Sequence, residues 1–193
     1  MGKINKKYLN NDNLDLKSLI SDDEKILWQG KPNPKSYFWA KFFSMFKIVV
    51  IWLVFDLTFL GLIIGFNAFS QMPLFVSIFI VIFFILHLTP VWLWIARLIR
   101  AKKDCENIEY IITSKRILSK TKQNGVSVDS IYYKDIKEVN LNITWLDRRY
   151  KVGDIYITSQ TKVLVLEDIS SPFETISLIQ NITNKLNTEV KLN

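Results

Sequence analysis

One cysteine and one histidine in 193 residues remove most catalytic chemistry at the outset. With Cys105 alone, no intrachain disulfide and no cysteine-built metal site can form, and the thiol reads as an ordinary reduced one, acylation being the alternative beside a membrane. The sole histidine, His87, lies within an apolar run, so no Ser–His or Cys–His pair and no histidine-built metal centre is expected in the polar parts of the chain. The six glycines form no phosphate-cradling loop and read as isolated turn residues. Neither a recognition helix nor an aromatic RNA-binding motif accompanies the net charge of +7, so no nucleic-acid partner is expected. No cofactor is expected, and the chain reads as non-enzymatic. No cleavable signal peptide is expected, because the arm ahead of the first apolar run is long and polar.

What the sequence does have is two long apolar runs. From Ile48 to Phe66 the one ionisable residue is Asp56; from Leu74 to Ala96 it is His87. A helix rises ~1.5 Å per residue, so about 20 apolar residues cross a ~30 Å hydrocarbon layer. Both runs reach that length, and the uncharged stretch Asn67–Pro73 joins them as a turn. The expectation is a two-helix transmembrane hairpin over residues 48–96, with spans at about 48–66 and 74–96. Two buried core helices of a soluble protein would need a larger polar shell than the remaining chain provides. A cytoplasmic arm, 1–47, and a cytoplasmic domain, 104–193, flank the hairpin.

Charge sets the orientation. The arm carries nine Lys against five Asp and Glu, and residues 97–193 carry sixteen Lys and Arg against twelve. Lys31, Lys35, Lys41 and Lys47 precede the first span, while Arg97, Arg100, Lys102 and Lys103 follow the second. Positive residues stay inside, which places both termini in the cytoplasm of a multi-pass protein. Trp39, Trp92 and Trp94 fall where an inner interfacial belt belongs. Anionic headgroups are the expected partners of Arg97, Arg100, Lys102 and Lys103, and of Lys115, Arg116, Lys120 and Lys122 further on, at ~1 kcal/mol per cation.

A carboxyl group in hydrocarbon is costly if charged, so Asp56 should be neutral or paired. With a turn centred near residue 70, Asp56 lies level with residue 85, within one turn of His87. The two are expected to pair across the hairpin, as a structural tie or as a proton relay. Thr58, Gly61, Gly65 and Ala68 form a small-residue stripe about 160° around the helix from Asp56. That stripe is open to a second helix, through a homodimer or through another membrane protein, unless it serves close packing within the chain.

Residues Met1–Ser18 are polar and Asn-rich and read as mobile, so their removal should leave folding intact. The short patch Ile26–Gly30 must dock on something, either the membrane surface or the C-terminal domain. Beyond Lys103 the period changes to two. Strands are read from Ile108, Arg116–Lys122, Val126–Tyr133, Ile136–Ile143, Gly153–Ser159 and Val163–Glu167, with Asn124-Gly125 as a hairpin turn. Asp147, Arg148, Arg149 and Lys151 read as a charged loop, solvated or in contact with an anion. A final helix starts at Ser171 as N-cap, with Pro172 at the first helical position and Glu174 completing a capping box. Its apolar face is Phe173, Ile176, Ile179, Ile182 and Leu186. The fold class is α+β: six antiparallel strands and one helix.

The segments Tyr110-Ile-Ile-Thr-Ser-Lys-Arg116, Ile131-Tyr-Tyr-Lys-Asp-Ile136, Val152-Gly-Asp-Ile-Tyr-Ile157 and Leu166-Glu-Asp-Ile-Ser-Ser-Pro-Phe173 resemble the bacterial pleckstrin-homology-like family found beside transmembrane segments. Glu24-Lys-Ile-Leu-Trp-Gln-Gly30 is similar to the motif that precedes the hairpin in that family. The resemblance covers roughly residues 22–188. It implies a seven-stranded bent sheet or partial barrel plugged by the C-terminal helix. The seventh strand is then either missing from the reading or supplied by Ile26–Gln29. It also implies a binding module at the bacterial cell envelope, in the cytoplasmic membrane. Some relatives are linked to immunity against leaderless bacteriocins, hence to resistance against membrane-active antimicrobial peptides. An accessory or scaffold subunit of another membrane complex is the alternative.

Overall fold

Period-two alternation beyond Ile108 becomes two antiparallel sheets in the structure, a computed structural model that describes residues 15–122 and 126–192. The chain divides into two compact units: Phe38–Ala101, and a second unit built from Met1–Tyr37 with Lys102–Asn193.

In the second unit, β1 (Ile26–Gly30), β2 (Glu109–Thr113), β3 (Arg116–Lys122) and β4 (Val126–Tyr132) form one sheet in that order. The Ile26–Gly30 patch therefore docks on the domain as the strand that makes seven. Trp28 pairs with Ile112 and Gly30 with Tyr110, after a bulge near Ile26. Gly30 is needed because the Trp28 ring covers it; a Cβ there would lie 2.2 Å from that ring. The Asn124-Gly125 turn and the Lys122 side chain lie outside the described residues.

Along β2 and the start of β3 both faces of this sheet are buried, while β1 and β4 are largely exposed or half-buried. Tyr133 donates to Thr113 O at 2.7 Å on one side. On the other, Ile111 and Leu118 are buried against Leu16, which is 0% exposed, with Ile20 and Val128 at the margin. Leu16 belongs to a 3-10 turn, Leu16–Leu19, capped by Asp15. This corrects the expectation for Met1–Ser18: its last residues are part of the core, because a sheet with apolar residues on both faces needs a cover on each.

The other sheet consists of β5 (Ile136–Asn142), β6 (Val152–Ser159) and β7 (Val163–Ser170). Ile155, Ile157 and Leu166 are fully buried. Between β5 and β6 the charged stretch expected as a loop is a short helix, α5 (Trp145–Tyr150). Thr144 and Asp147 close a capping box there: Asp147 N donates to Thr144 Oγ1 at 3.3 Å and Thr144 N to Asp147 Oδ2 at 2.7 Å. The C-terminal helix α6 (Pro172–Leu192) packs on β5 and β6 through Thr175, Ile179 and Thr183. Phe173 is 66% exposed and so lies off the expected apolar face. Ser171 takes φ 55, the left-handed region, instead of the extended backbone of an ordinary N-cap.

The helical elements are α1 (Pro34–Gly65), α2 (Ala68–Gln71), α3 (Leu74–His87) and α4 (Thr89–Asn107). Asn33 caps α1, its Oδ1 accepting from Lys35 N at 3.0 Å and Ser36 N at 3.3 Å. The helix begins fourteen residues before the expected span start and ends where Asn67 turns left-handed at φ 51. Among the described residues, α1 alone is a single helix long and apolar enough to cross a membrane, with mean hydropathy 2.5 over its most apolar window.

The second expected span is not continuous. α3 and α4 meet at 42° across Leu88. Pro90 brings no N–H, so the preceding turn cannot complete its ladder. Three carbonyls at the break are taken by side chains. Ile85 O accepts from Trp92 Nε1 at 3.2 Å, Leu86 O accepts from Thr89 Oγ1, and His87 O accepts from Trp52 Nε1 at 2.7 Å. Satisfying backbone groups in this way is what an apolar surrounding demands.

Candidate functional site

The break leaves His87 as the last residue of α3, opposite α1. Its Nδ1 lies 2.8 Å from Asp56 Oδ1. The ring is stacked between Trp52, with centroids 4.8 Å apart, and Phe83, at 5.0 Å. Asp56 is 4% exposed, and its Oδ2 has no hydrogen-bond partner among the described residues. Asp56 is the polar member of an otherwise apolar groove of about 300 Å³, bordered by Leu53, Leu60, Ile80 and Phe84 among others. The aromatic sandwich fixes the imidazole plane, and the carboxylate fixes its Nδ1 side. The arrangement can tie two helices together or hold a proton.

A double-mutant cycle reads the tie. Asp56→Asn and His87→Ala should each destabilise the helical unit, and the double variant should lose less than their sum, with coupling of ~0.5–2 kcal/mol. Denaturant titration of the full chain in detergent measures it, and strict additivity would mean that the contact contributes nothing.

The small-residue stripe divides. Thr58 Oγ1 bonds back to Val54 O at 2.7 Å. Among the described residues, a Cβ on Gly61 or Gly65 would meet nothing within 4 Å, so neither glycine packs against them. Ala68 lies beyond the Asn67 turn, in α2, and does not extend the stripe.

The cations expected to meet lipid are in unequal situations. Arg97, Arg100, Lys102 and Lys103 are exposed on α4. Lys115 is paired with Asp23, and Arg116 is clasped by Glu24, Nε to Oε1 at 3.1 Å and Nη2 to Oε2 at 3.2 Å. Arg116 Nη2 also donates to Leu19 O at 2.8 Å. Lys120 is half-buried. The first β-hairpin is therefore partly neutralised by the segment ahead of β1, a pairing 92 residues long that sequence spacing does not disclose. Cys105 is 2% exposed with its thiol pushed up by burial, which leaves no accessible sulfur for acylation.

Near the end of β7, Asp168 is 4% exposed at φ 53, and Asn33 N donates to its carbonyl at 3.0 Å. Burial pushes its carboxyl up to about 6, with Asp154, Asp147 and Glu167 adding repulsion. Ser36 opposes the rise, although its buried Oγ completes no full hydrogen bond among the described residues. A carboxyl raised in the folded state adds stability below the unfolded value near 4, and that stability is lost as pH climbs to about 6. Asp168→Asn keeps the shape and tolerates the left-handed backbone. It should stabilise the full chain by roughly 2–3 kcal/mol at pH 7 and by nothing at pH 4. Unfolding midpoints at the two pH values check this.

The model of the family described as "Bacterial PH domain" matches residues 49–189. A crystal structure of a DUF1696 family protein with a pleckstrin-homology domain from Shewanella loihica is 19% identical, at a TM-score of 0.31. That match covers 40% of this chain and 68% of the other. No curated protein matches.

Proposed function

Because the chain belongs to the bacterial PH domain family, we propose that it is a membrane-anchored, non-catalytic binding protein of the bacterial cell envelope that protects against cationic membrane-active peptides. PH-like domains are generally non-catalytic binding modules. The observation that carries the anchoring is one chain joining such a domain to α1, which is long and apolar enough to cross a bilayer. Arg97, Arg100, Lys102 and Lys103 at the polar end of α4 supply headgroup contacts on the inner leaflet. The bent pair α3–α4 is the returning span, so that both termini are cytoplasmic. The link to peptide resistance comes from the family resemblance of the sequence.

The stretch between α1 and α3 is too short to form an external receptor, so protection operates through the helices or from the inner surface. The test is a strain lacking the gene, exposed to a panel of cationic membrane-active peptides and complemented with the wild-type chain. Increased sensitivity, restored by the gene, is expected. Unchanged sensitivity would dismiss the protective role.

A second reading is favoured by the open Gly61 and Gly65 face: an accessory subunit whose first helix packs on another membrane protein or on a second copy. Cross-linking in native membranes separates the two readings, and a wild-type chain that stays uncross-linked removes the second.

A further inference from the structure

We propose that the rim formed by α5, the end of β7 and the start of α6 is the face on which the PH-like domain seats on an anionic bilayer surface, with Trp145 and Phe173 entering the interface and Arg148, Arg149 and Lys151 meeting headgroups. The inference rests on the membrane-anchored reading and assigns the contact to a surface other than the first β-hairpin.

Local chemistry builds this rim. The Thr144–Asp147 capping box sets α5 so that Leu146 and Asp147 are buried while Trp145, Arg148 and Arg149 face out. The capping spends the acidic residue of the cluster and leaves its cations exposed. Lys151 at φ 54 closes the helix, its N–H returning to Arg148 O at 3.4 Å. Ser171 at φ 55 turns β7 into α6 and leaves Phe173 outward. Gly153 lets β6 approach Pro172 closely, since a Cβ there would lie 3.1 Å from the proline Cβ. Between these parts lies a cavity of about 560 Å³ bordered by Ile143, Arg148, Lys151, Val152 and Phe173 among others.

Trp145 and Phe173 are each 66% exposed, an unfavourable display of aromatic surface unless something covers it. Exposed aromatic rings on elements that also carry exposed cations complement a bilayer interface, where rings sit at headgroup depth and anionic lipids attract Lys and Arg. The exposed carboxylate nearest in sequence is Glu174. Position within the unit points the same way. Asp168, whose carbonyl is bound by Asn33 N, is three residues before Ser171, a separation of at most about 10 Å. Asn33 caps α1, so the rim adjoins the place where the chain leaves this unit for the apolar helix.

The experiment uses the full chain in nanodiscs of phosphatidylcholine, with or without phosphatidylglycerol. Phe173→Cys, in a Cys105→Ser background, carries a polarity-sensitive fluorophore. Blue-shifted emission quenched by spin-labelled lipid is expected in discs containing phosphatidylglycerol. The docking equilibrium should fall about fivefold for each of Arg148, Arg149 and Lys151 changed to Gln, with the unfolding midpoint unchanged. Water-like emission in both lipids overturns the proposal, as does a shift indifferent to lipid charge and to the Gln changes. A shift that grows with protein concentration in detergent reassigns the face to a second copy. Extraction of the chain from membranes by alkaline carbonate would instead defeat the anchored reading itself, whereas an integral chain with a water-exposed probe defeats this inference alone.

Discussion

Glu24→Ala should lower the stability of the PH-like domain by about 3–5 kcal/mol, the cost of removing one partner of a buried ion pair. The Glu24 side chain is 2% exposed and that of Arg116 18%. Loss of the carboxylate leaves a guanidinium with neither of its Glu24 contacts and Thr113 Oγ1 without its 2.6 Å acceptor. The segment ahead of β1 would lose its clasp on β3 in the same step. Burial alone would raise the Glu24 carboxyl, but hydrogen bonds from Arg116 and Thr113 outweigh it and hold the group below its ordinary value. A depressed carboxyl contributes stability above its unfolded value near 4 and loses it as pH falls through the folded value. Wild type should therefore weaken below about pH 4 by more than Glu24→Ala does. Hydrogen exchange at β2 and β3 amides, followed in the full chain, reads both effects. Protection equal to wild type in the variant would show that the clasp is ornamental.

The same residues explain why the functional surface was only partly legible. Lys115, Arg116, Lys120 and Lys122 stand close in sequence, and clustering of charge is visible there. Neutralisation by Asp23 and Glu24 is not, because those carboxylates arrive from the far side of the apolar helices. Conversely Asp147, Arg148 and Arg149 look like a solvated loop. A Thr144-x-x-Asp147 box sits ahead of them and makes a helix, which turns the acid inward and the cations outward. The strands β4 to β7 were legible because a face turned away from the core leaves a period of two, although β2 itself is buried on both faces. Ile26–Gly30 was legible only as a patch that must dock, with the seventh strand one option, because it is an edge strand of five residues whose partner lies 80 or more positions away.

The Asp56–His87 contact has a similar division. Equal depth follows from the fixed rise of a helix and can be counted. The break at Leu88 follows from Pro90 and Thr89, which an apolar tally passes over because neither residue is charged. Without that break His87 would be an interior helix residue, and its carbonyl would not be free for Trp52 Nε1.

Leu16→Ala should cost about 2–5 kcal/mol, a magnitude ordinarily reserved for the middle of a core. Leu16 stands between Asp15 and Lys17, and with Leu19 and Ile20 it makes an i, i+3, i+4 set too short to be read as a buried element. What buries it is the second apolar face of the β1–β4 sheet: Ile111 and Leu118 point to the side away from Tyr110 and Ile117, and each would be solvated without a cover. Asp15 fixes the cover by capping the 3-10 turn, its Oδ1 accepting from Lys17 N at 3.0 Å. Ile20, at the margin of the same cluster, continues the chain toward the Glu24 clasp. Leu16→Met should retain most of the stability, since volume and apolarity are kept. The contrast between the two variants isolates packing from any effect on the turn. Denaturant midpoints of the full chain, read through β-sheet ellipticity, should fall for Ala and hold for Met. If Leu16→Ala unfolds like wild type, the segment ahead of β1 is held by its polar contacts, Glu24 and Leu19 O with Arg116 and Asp23 with Lys115, and not by packing.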